Sequence, residues 1–453
     1  MSAQGKMSDL LIVGAGIGGL SAAIALGQFK ERISIIEQSA QLGEVGAGVQ
    51  LGPNVTRILK SWGVYQSLDA YVYEPSSLEV HSALSGQLLA TLPLGESFRE
   101  RYGAPYHTVH RADLHAALLE CVVRGGYGDI HLNCKLSGLQ STEDGLQVSL
   151  EENRKYVQSQ NDTSTPESFS KKLYQGVIGA DGVWSKVRDI YFDTSKSHTP
   201  FGISAVPPPS PGGVTFSGDL AYRSLVMQKM LPPTLRSSSV KVWLGPDMHL
   251  VQYPVRGGEW LNSVLILNTS RHSLKPGDRP QDVLSALDWT LNMSQAEKAL
   301  NIHSIFPQTC SKIQDTLRAI DTWSVWPLMR SNPLKGPMQM ARGQVALLGD
   351  AAHPMLPYLA QGAGMAIEDA FEMGKQFKLK ASTPSQADGH RTQQLFMNYA
   401  HKRWLRNASV QKRALMNADI FHAKQLVEWA RDRSLKLFGP KLLDMPWLYG
   451  YKS

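Results

Sequence analysis

The chain has 453 residues, of which 42% are hydrophobic and 19% charged, and its formal net charge is +7. These proportions are typical of a globular protein of two or three domains and exclude a mainly disordered chain. Because the Lys and Arg residues are spread out, solvated helix faces explain them better than a nucleic-acid-binding surface. Three scattered cysteines and the lack of a long apolar stretch predict a cytoplasmic protein without disulfides, bound metal or membrane span.

The first predicted unit is a strand, a glycine-rich turn, a helix and a second strand. An apolar run at 10–13 leads into Gly14, Gly16 and Gly19, and a second apolar run ends at Glu37. Gly14 permits a tight turn, Gly16 lets a pyrophosphate approach the backbone, and Gly19 lets the helix pack against the strand. The Glu37 carboxylate can accept hydrogen bonds from ribose hydroxyls. This arrangement predicts a dinucleotide site but does not distinguish NAD from FAD.

Two further Gly-Asp turns follow much later in the chain. Asp181 follows a predicted buried strand at 176–179, and Asp350 follows another apolar run at 346–348. The small residues Gly362, Ala363 and Gly364 come shortly after Asp350. A carboxylate and free backbone amides suit the far end of a long cofactor, so FAD is the best candidate.

The predicted elements alternate between two domains. We expect an α/β fold in which a Rossmann-like FAD-binding domain is interleaved with a smaller sheet-bearing substrate domain, followed by a helical C-terminus. A polar stretch at 151–172 predicts a loop, and a Pro-rich stretch at 207–213 predicts a domain boundary. The predicted segments are 1–75, 105–190 and 340–380 for FAD binding, 76–104 and 191–339 for substrate binding, and 381–453 for the C-terminal helices.

Taken in order, these motifs resemble those of the class A, single-component FAD-dependent aromatic monooxygenases, in particular the salicylate hydroxylase-like group. The matching motifs are the GxGxxG turn at 14–19, the DG motif at 179–188 and the GD motif at 349–354. The resemblance extends over nearly the whole chain. No second dinucleotide fingerprint is present, which agrees with a family in which the reduced nicotinamide visits transiently.

The resemblance implies roles at the flavin end of the cofactor. Asp350 would bind a ribityl hydroxyl of FAD. Backbone N–H groups of Gly362, Ala363 and Gly364 would stabilise negative charge at the N1–C2=O edge of the reduced ring.

Three more residues are implied to contact the cofactor or support it. Gly48 would lie against the flavin or its adjoining chain, and Arg111 would reach the ribityl or phosphate region. Asp181 would cap backbone amides near the pyrophosphate and help both FAD and NAD(P)H. The alternative for Asp181 and Asp350 is a purely structural turn or helix cap.

The resemblance also implies the reaction. NADH or NADPH would reduce the flavin, O2 would give a C4a-hydroperoxide, and one oxygen atom would pass to an aromatic small molecule. One alternative is epoxidation or dearomatising hydroxylation of a fungal secondary metabolite. A remote alternative is a flavin-binding module without turnover. The chain is expected to be a monomer or homodimer.

Three residues are candidates for catalysis. Tyr222 and Arg223 should lie on opposite faces of a strand, and Arg223 could bind a carboxylate or phenolate or protonate an oxygenated intermediate. His249 and Tyr253 are four apart, so on a strand they share a face and could form an acid/base pair. The alternatives are a surface or inter-domain ion pair for Arg223 and ordinary core packing for the other two.

The polar residues behind the GD motif are expected to be structural. His353 is predicted to make a hydrogen bond within the flavin-binding turn. Glu368 and Asp369 are predicted to satisfy backbone donors at a helix end.

Overall fold

A computed structural model of the chain describes residues 9–29, 31–43, 47–151, 172–192, 213–268, 308–380 and 388–452. Apart from their end residues, the loop predicted at 151–172 and the boundary predicted at 207–213 lie outside these ranges.

The described strands fall into four sheets. They are β1 Asp9–Val13, β2 Arg32–Ile36, β3 Gly48–Leu51, β4 Ser77–Ser82, β5 Leu88–Pro93, β6 His107–His110, β7 Asp129–His131, β8 Leu136–Ser141, β9 Leu146–Leu150, β10 Leu173–Tyr174, β11 Gly176–Gly179, β12 Thr215–Met227, β13 Val240–Gly245, β14 Met248–Val255, β15 Trp260–Asn268, β16 Ser324–Arg330, β17 Ala341–Arg342 and β18 Val345–Leu347.

The described helices lie mainly in the first and last thirds of the chain. They are α1 Ile17–Gly27, α2 Pro53–Ser61, α3 Tyr65–Leu68, α4 Glu96–Tyr102, α5 Arg111–Gly125, α6 Lys186–Tyr191, α7 Ser311–Ala319, α8 Gly362–Lys380, α9 Asp388–Phe421, α10 Gln425–Leu443 and α11 Pro446–Tyr449.

A six-stranded sheet forms the centre of the dinucleotide-binding part. Its order is β17-β18-β11-β1-β2-β7, and every pairing except β17 with β18 is parallel. The apolar run of β1 is buried throughout, as expected of a strand that is covered on both faces. Helix α8 approaches α1 so closely that a Cβ on Gly374 would lie 2.8 Å from the carbonyl oxygen of Ala25. Because β1, β11 and β18 are parallel, their carboxyl ends lie at the same edge of the sheet.

A seven-stranded sheet forms the second part, in the order β16-β12-β15-β14-β13-β4-β5. Its pairings are antiparallel except that of β13 with β4. Because β4 and β5 come from residues 77–93 and the other strands from 215–330, the two parts are interleaved in sequence.

The C-terminal region is helical and packs against both parts. Helix α9 contacts α8 and the loop at 357–359, and α10 packs on β5. The predicted α/β class with a helical C-terminus is confirmed, whereas the residue boundaries of the domains remain predictions. None of the helices described is both long enough and apolar enough to cross a bilayer.

Candidate active site

The turn after β1 is built so that a phosphate group can approach its backbone. Gly14 has a φ of +101°, and its N–H donates to the carbonyl of Ile36 at 2.8 Å. A Cβ on Gly19 would lie 1.9 Å from the carbonyl oxygen of Gly14, so only glycine fits there. Gly16 is the N-cap of α1 and lines the cavity in front of it. The first amides of α1 and the positive end of its dipole therefore face a cavity.

Glu37 lies in the wall of the same cavity, directly after β2. Its two carboxylate oxygens accept hydrogen bonds from the N–H groups of Ala15 and Ser39, each at 2.9 Å. Each oxygen has a further lone pair, so the carboxylate can hold the turn and still accept a ribose hydroxyl.

Asp181 caps the short helix α6 and lines the cavity. Its carboxylate accepts from the Ser185 hydroxyl at 2.6 Å and from the amides of Lys186 and Val187 at 2.7 and 3.1 Å. Burial raises the pKa of Asp181, and these hydrogen bonds oppose the rise because they favour the charged form. The described contacts make it a positioning residue for the turn at 180–186.

Arg188 joins the two Gly-Asp turns, a role that the sequence did not predict. Its guanidinium is buried and donates to the carbonyls of Val183 at 2.7 Å and Ala351 at 3.0 Å. The turn after β11 and the turn after β18 are thus held together by one side chain. Position 188 lies within the DG motif, but no spacing rule indicates which carbonyls an arginine will reach.

The far end of the cavity is formed by Asp350 and the start of α8. Asp350 lies in a single helical turn, Gly349–Ala351, and its side chain is exposed to the cavity. Gly362 and Ala363 line the cavity beside it. Gly364 does not line it, since a Cβ there would meet Val55 and Gln361 at about 3 Å.

Arg111 and Gly48 lie next to each other in space but face different surroundings. Arg111 begins α5, donates its N–H to the carbonyl of Ala47 at 3.2 Å and lines the cavity. Gly48 donates its N–H to Asn262 at 2.7 Å and packs against Tyr253, where a Cβ would lie 2.5 Å from the phenol ring.

The cavity as a whole fits FAD. It has a volume of about 470 Å³ and extends from Glu37 past Asp181 to Asp350 and Gly362. Arg111, Lys135 and Lys186 contribute positive charge along its length, which suits a pyrophosphate. One end carries the adenosine-binding turn and the other the carboxylate and helix amides that suit a ribityl chain and flavin edge.

A second cavity, of about 490 Å³, adjoins the first through Asp350 and Trp184, which line both. Arg223 lies in its wall, with the guanidinium 5.9 Å from the centre of the Trp326 ring. Tyr222, on the opposite face of β12, is fully buried. Burial lowers the pKa of Arg223, and the positive charge of Arg111 lowers it further. The guanidinium groups of Arg111 and Arg223 therefore lie close enough for their charges to interact.

A third cavity, of about 440 Å³, lies between β13, β14, the loop at 357–360 and helices α9 and α10. Most of its walls are apolar, and the polar residues that line it include Gln50, Tyr106, His249, Tyr358, Arg413, Asn417, Arg431 and Ser434. The Tyr106 hydroxyl donates to Gln50 at 2.6 Å. Only Gln361 separates Ala360, in this wall, from Gly362 in the FAD cavity. An apolar cavity with a few polar groups is typical of a small-molecule site.

His249 and Tyr253 share a face of β14 but do not form the expected pair. Four residues of strand span about 13 Å, which is too far for direct proton transfer. Nδ1 of His249 lies instead 2.8 Å from Nε2 of His422, whereas Tyr253 packs against Gly48. Burial holds the pKa of His249 well below its usual range and raises that of Tyr253. His249 is therefore a neutral imidazole at physiological pH.

His422, Asp219 and Tyr358 join His249 in a polar cluster that sequence reasoning missed. They come from the end of α9, from β12 and from the loop after the GD motif. His249 and His422 are 173 positions apart, and no motif connects them.

His353, Glu368 and Asp369 are structural, but their partners differ in part from the prediction. His353 Nε2 lies 2.6 Å from Asp369, as a structural hydrogen bond requires. Asp369 accepts one backbone N–H, that of Gly349, at 3.1 Å. Otherwise the two carboxylates bind Arg403, each at 2.7 Å, because both are buried where only a cation can balance their charge.

Comparison with known proteins identifies the family of this chain. The family described as FAD binding domain matches residues 7–208 and 258–414. A 3-hydroxybenzoate 6-hydroxylase of Polaromonas naphthalenivorans is 30% identical over 446 residues, which cover 98% of this chain and 96% of that protein. An FAD-dependent monooxygenase of Beauveria bassiana is 29% identical, with coverage of 98% and 95%. A salicylate hydroxylase in complex with its substrate has the same fold, with a TM-score of 0.72, 20% identity and coverage of 98% and 96%.

A Rossmann-like part, an FAD-sized cavity and an adjoining apolar cavity define a flavoprotein oxidoreductase. The chain belongs to the FAD binding domain family and is a class A FAD-dependent aromatic monooxygenase. Its co-substrates are O2 and a reduced nicotinamide, and its substrate is a small molecule.

Proposed function

We propose that the enzyme hydroxylates a phenolic or salicylate-like substrate bound in the apolar cavity between β14, the 357–360 loop and helices α9 and α10. The position of His249 is the main support, because it is a buried, neutral imidazole in the wall of this cavity. A neutral imidazole can accept a phenolic proton, and a phenolate is a better carbon nucleophile than a phenol. The hydroxybenzoate hydroxylase among the relatives supports the same substrate class.

FAD, when bound, supplies the redox chemistry, for which NAD(P)H provides the electrons and O2 provides the oxygen atom. The chain positions and shields the reactants. Glu37 and the first turn of α1 hold the adenosine end, while Asp350 and the amides of Gly362 and Ala363 hold the flavin end. The apolar walls exclude water from the ring that is to be hydroxylated. His249 accepts the phenolic proton at Nε2, because its Nδ1 is engaged with His422.

Arg223 is proposed to hold an anionic group at the second cavity, either a substrate carboxylate or the reduced nicotinamide cofactor. A half-buried guanidinium without a described ion pair favours an incoming anion. Arg223→Ala should lower kcat/KM at least tenfold while FAD stays bound, and Arg223→Lys should restore part of the loss. The KM that rises more, that of NAD(P)H or that of the benzoate, identifies the anion. Unchanged activity would remove Arg223 from the site.

The proposed reaction can be tested with purified, FAD-loaded enzyme. Oxidation of NADH and of NADPH is followed with a panel of phenols, hydroxybenzoates and indoles, and products are analysed by mass spectrometry under 18O2. We expect one labelled oxygen in the product of a phenolic substrate. Oxidation that yields hydrogen peroxide alone with every compound would contradict the proposal. Fractionation and size-exclusion chromatography test the accompanying proposals of a cytoplasmic, monomeric or homodimeric enzyme.

A second candidate is epoxidation or dearomatising hydroxylation of a larger aromatic metabolite. It is favoured by the depth of the apolar cavity, which reaches Leu435 and Leu442 on α10. The fungal relative from Beauveria bassiana is compatible with it. Faster turnover of phenols with a long apolar substituent than of simple hydroxybenzoates would favour this candidate.

A further inference from the structure

Three polar side chains, those of His249, His422 and Asp219, lie in a row behind the wall of the apolar cavity. Nδ1 of His249 is 2.8 Å from Nε2 of His422, which directly follows α9. Nδ1 of His422 lies 3.9 Å from a carboxylate oxygen of Asp219 on β12. The three side chains are buried, so few waters can substitute for these partners.

Asp219 is fixed by further donors. Its Oδ2 accepts from the Tyr358 hydroxyl at 2.7 Å, and its Oδ1 accepts from Asn268 at 3.1 Å. Tyr358 also lines the apolar cavity and packs against the His249 ring, with centres 4.9 Å apart. His249, at one end of the row, and Tyr358, which binds Asp219 at the other end, therefore line the same cavity.

The order of partners decides where the protons lie. A carboxylate next to Nδ1 of His422 favours a proton on that nitrogen, which leaves Nε2 of His422 as an acceptor. His249 must then donate from Nδ1, so its Nε2 carries the lone pair. Nε2 is the nitrogen that remains for a group bound in the cavity.

We propose that His422 and Asp219 are positioning residues for hydroxylation: they hold His249 in the tautomer that accepts a phenolic proton. This inference rests on the proposed function of His249. When a phenol binds, its O–H proton passes to Nε2 of His249. The Nδ1 proton of His249 stays in its hydrogen bond to Nε2 of His422. The phenolate and a His249 imidazolium result, and no redox partner is needed.

Other charged groups face His249, His422 and Asp219 from the surrounding elements. They act on the cluster at longer range and must be kept unchanged in any test. They are Asp247 in the β13–β14 turn, Lys424 beyond α9, Arg431 on α10, Asp419 on α9 and Arg330 on β16.

The first test measures the tautomer without any substrate. In FAD-loaded enzyme labelled with 15N-histidine, and with His249→Gln for assignment, His249 should carry its proton on Nδ1 and none on Nε2. His422→Gln can donate to Nδ1 and should shift His249 toward the Nε2–H form. His249 protonated on Nε2 in the unmodified enzyme would overturn the proposal.

The second test uses 4-nitrophenol, whose absorbance reports its ionisation in the bound state. The unmodified enzyme should lower the apparent pKa of bound nitrophenol, and His422→Leu and Asp219→Asn should each raise it by about one unit, a tenfold loss of phenolate. His422→Gln should raise it as well, because the glutamine amide donates to Nδ1 of His249 and favours the tautomer that cannot accept the phenolic proton. His107→Gln is the matched control, since His107 is a buried histidine bonded to Tyr65 outside the cluster.

The outcomes separate the two proposals. Nitrophenol titration and pH–rate profiles that match the unmodified enzyme in His422→Leu and Asp219→Asn, with FAD content preserved, would overturn the positioning role alone. If His249→Gln also leaves both unchanged, the proposed role of His249 fails with it. If one variant loses FAD and fails to fold, the other decides the outcome, because Asp219→Asn keeps the shape of the side chain and one of its two acceptor oxygens.

Discussion

At the scale of single residues, the cofactor site depends on carboxylates whose surroundings give them different tasks. Glu37 and Asp181 each accept hydrogen bonds from backbone amides. Asp350 instead projects into the cavity from a one-turn helix. Of the three, Asp350 is therefore the carboxylate whose exposed side chain faces a ligand in the cavity most directly.

Asp350→Ala should weaken FAD binding more than it weakens folding. A hydrogen bond to a charged group contributes about 1.5–3 kcal/mol, so the Kd for FAD should rise about 10- to 100-fold. Flavin fluorescence titration of the apoenzyme measures this change, and thermal unfolding of the apoenzyme should be nearly unaffected. Asp315→Ala, at an exposed site on α7, is the control. An FAD affinity equal to that of the control would remove Asp350 from the site.

At the scale of elements, the parts of the site that the sequence predicts are those made by neighbours in the chain. The residues from Gly14 to Glu37 form one strand-turn-helix-strand unit, so their spacing carries the geometry of the adenosine site. Interleaving was predictable because apolar periodicity marks each strand.

The rest of the site is assembled from elements that are distant in the chain. The contact of His249 with His422 depends on where a 34-residue helix ends against a sheet. Likewise, Arg188 reaches the carbonyl of Ala351 across 163 positions. Neither contact has a local pattern, since each depends on how the packed elements are placed.

Asp181→Ala tests how far one helix cap supports the cofactor site. The substitution removes the acceptor of two amides and a hydroxyl at the start of α6, which should cost about 1–2 kcal/mol of stability. Because α6 carries Arg188, FAD affinity should also fall several-fold. Asp189→Ala, on the same helix at a half-exposed site, should stay within about 0.5 kcal/mol of the parent in urea unfolding. Equal stability of the two variants would contradict the capping role.

At the scale of the whole molecule, a buried ion cluster fastens the C-terminal helices to the cofactor-binding part. Arg403 on α9 binds Glu368 and Asp369 on α8, and Glu368 also binds Asn54 on α2 at 2.7 Å. Asp369 in turn holds the turn before Asp350 through the Gly349 amide. Attraction to His353 and Arg403 outweighs burial and holds the pKa of Asp369 below its usual range.

Arg403→Met should destabilise the whole enzyme because it removes the cation that the buried carboxylates Glu368 and Asp369 share. Breaking a buried ion pair in this way costs about 3–5 kcal/mol. The free energy of unfolding in urea measures the loss, and FAD affinity should fall with it through the Gly349 turn. Arg318→Met, which breaks an exposed ion pair on α7, should change stability by less than about 1 kcal/mol. Arg406 on α9 also donates to both carboxylate oxygens of Glu368, at 2.6 and 2.7 Å. A loss as small as that control would show that Arg406 and the His353 partner of Asp369 suffice without Arg403.

The buried histidines predict how the stability of the enzyme depends on pH. Burial lowers the pKa of His107 and of His422 to about 4, whereas in the unfolded chain histidine titrates near 6.5. Between these values the unfolded state binds more protons than the folded state, so stability falls as the pH falls from about 6.5 to 4. Each such histidine contributes a slope of at most about 1.4 kcal/mol per pH unit.

His107→Gln isolates one of these contributions, because every other titrating group is common to both proteins. The parent should lose more unfolding free energy between pH 6.5 and pH 5 than the variant does, as measured by urea unfolding at each pH. His401→Gln, at an exposed position on α9, should keep the parent slope. A variant slope as steep as that of the parent would mean that His107 is protonated equally in the folded and unfolded states. Burial next to Tyr65 would then not exclude the charge.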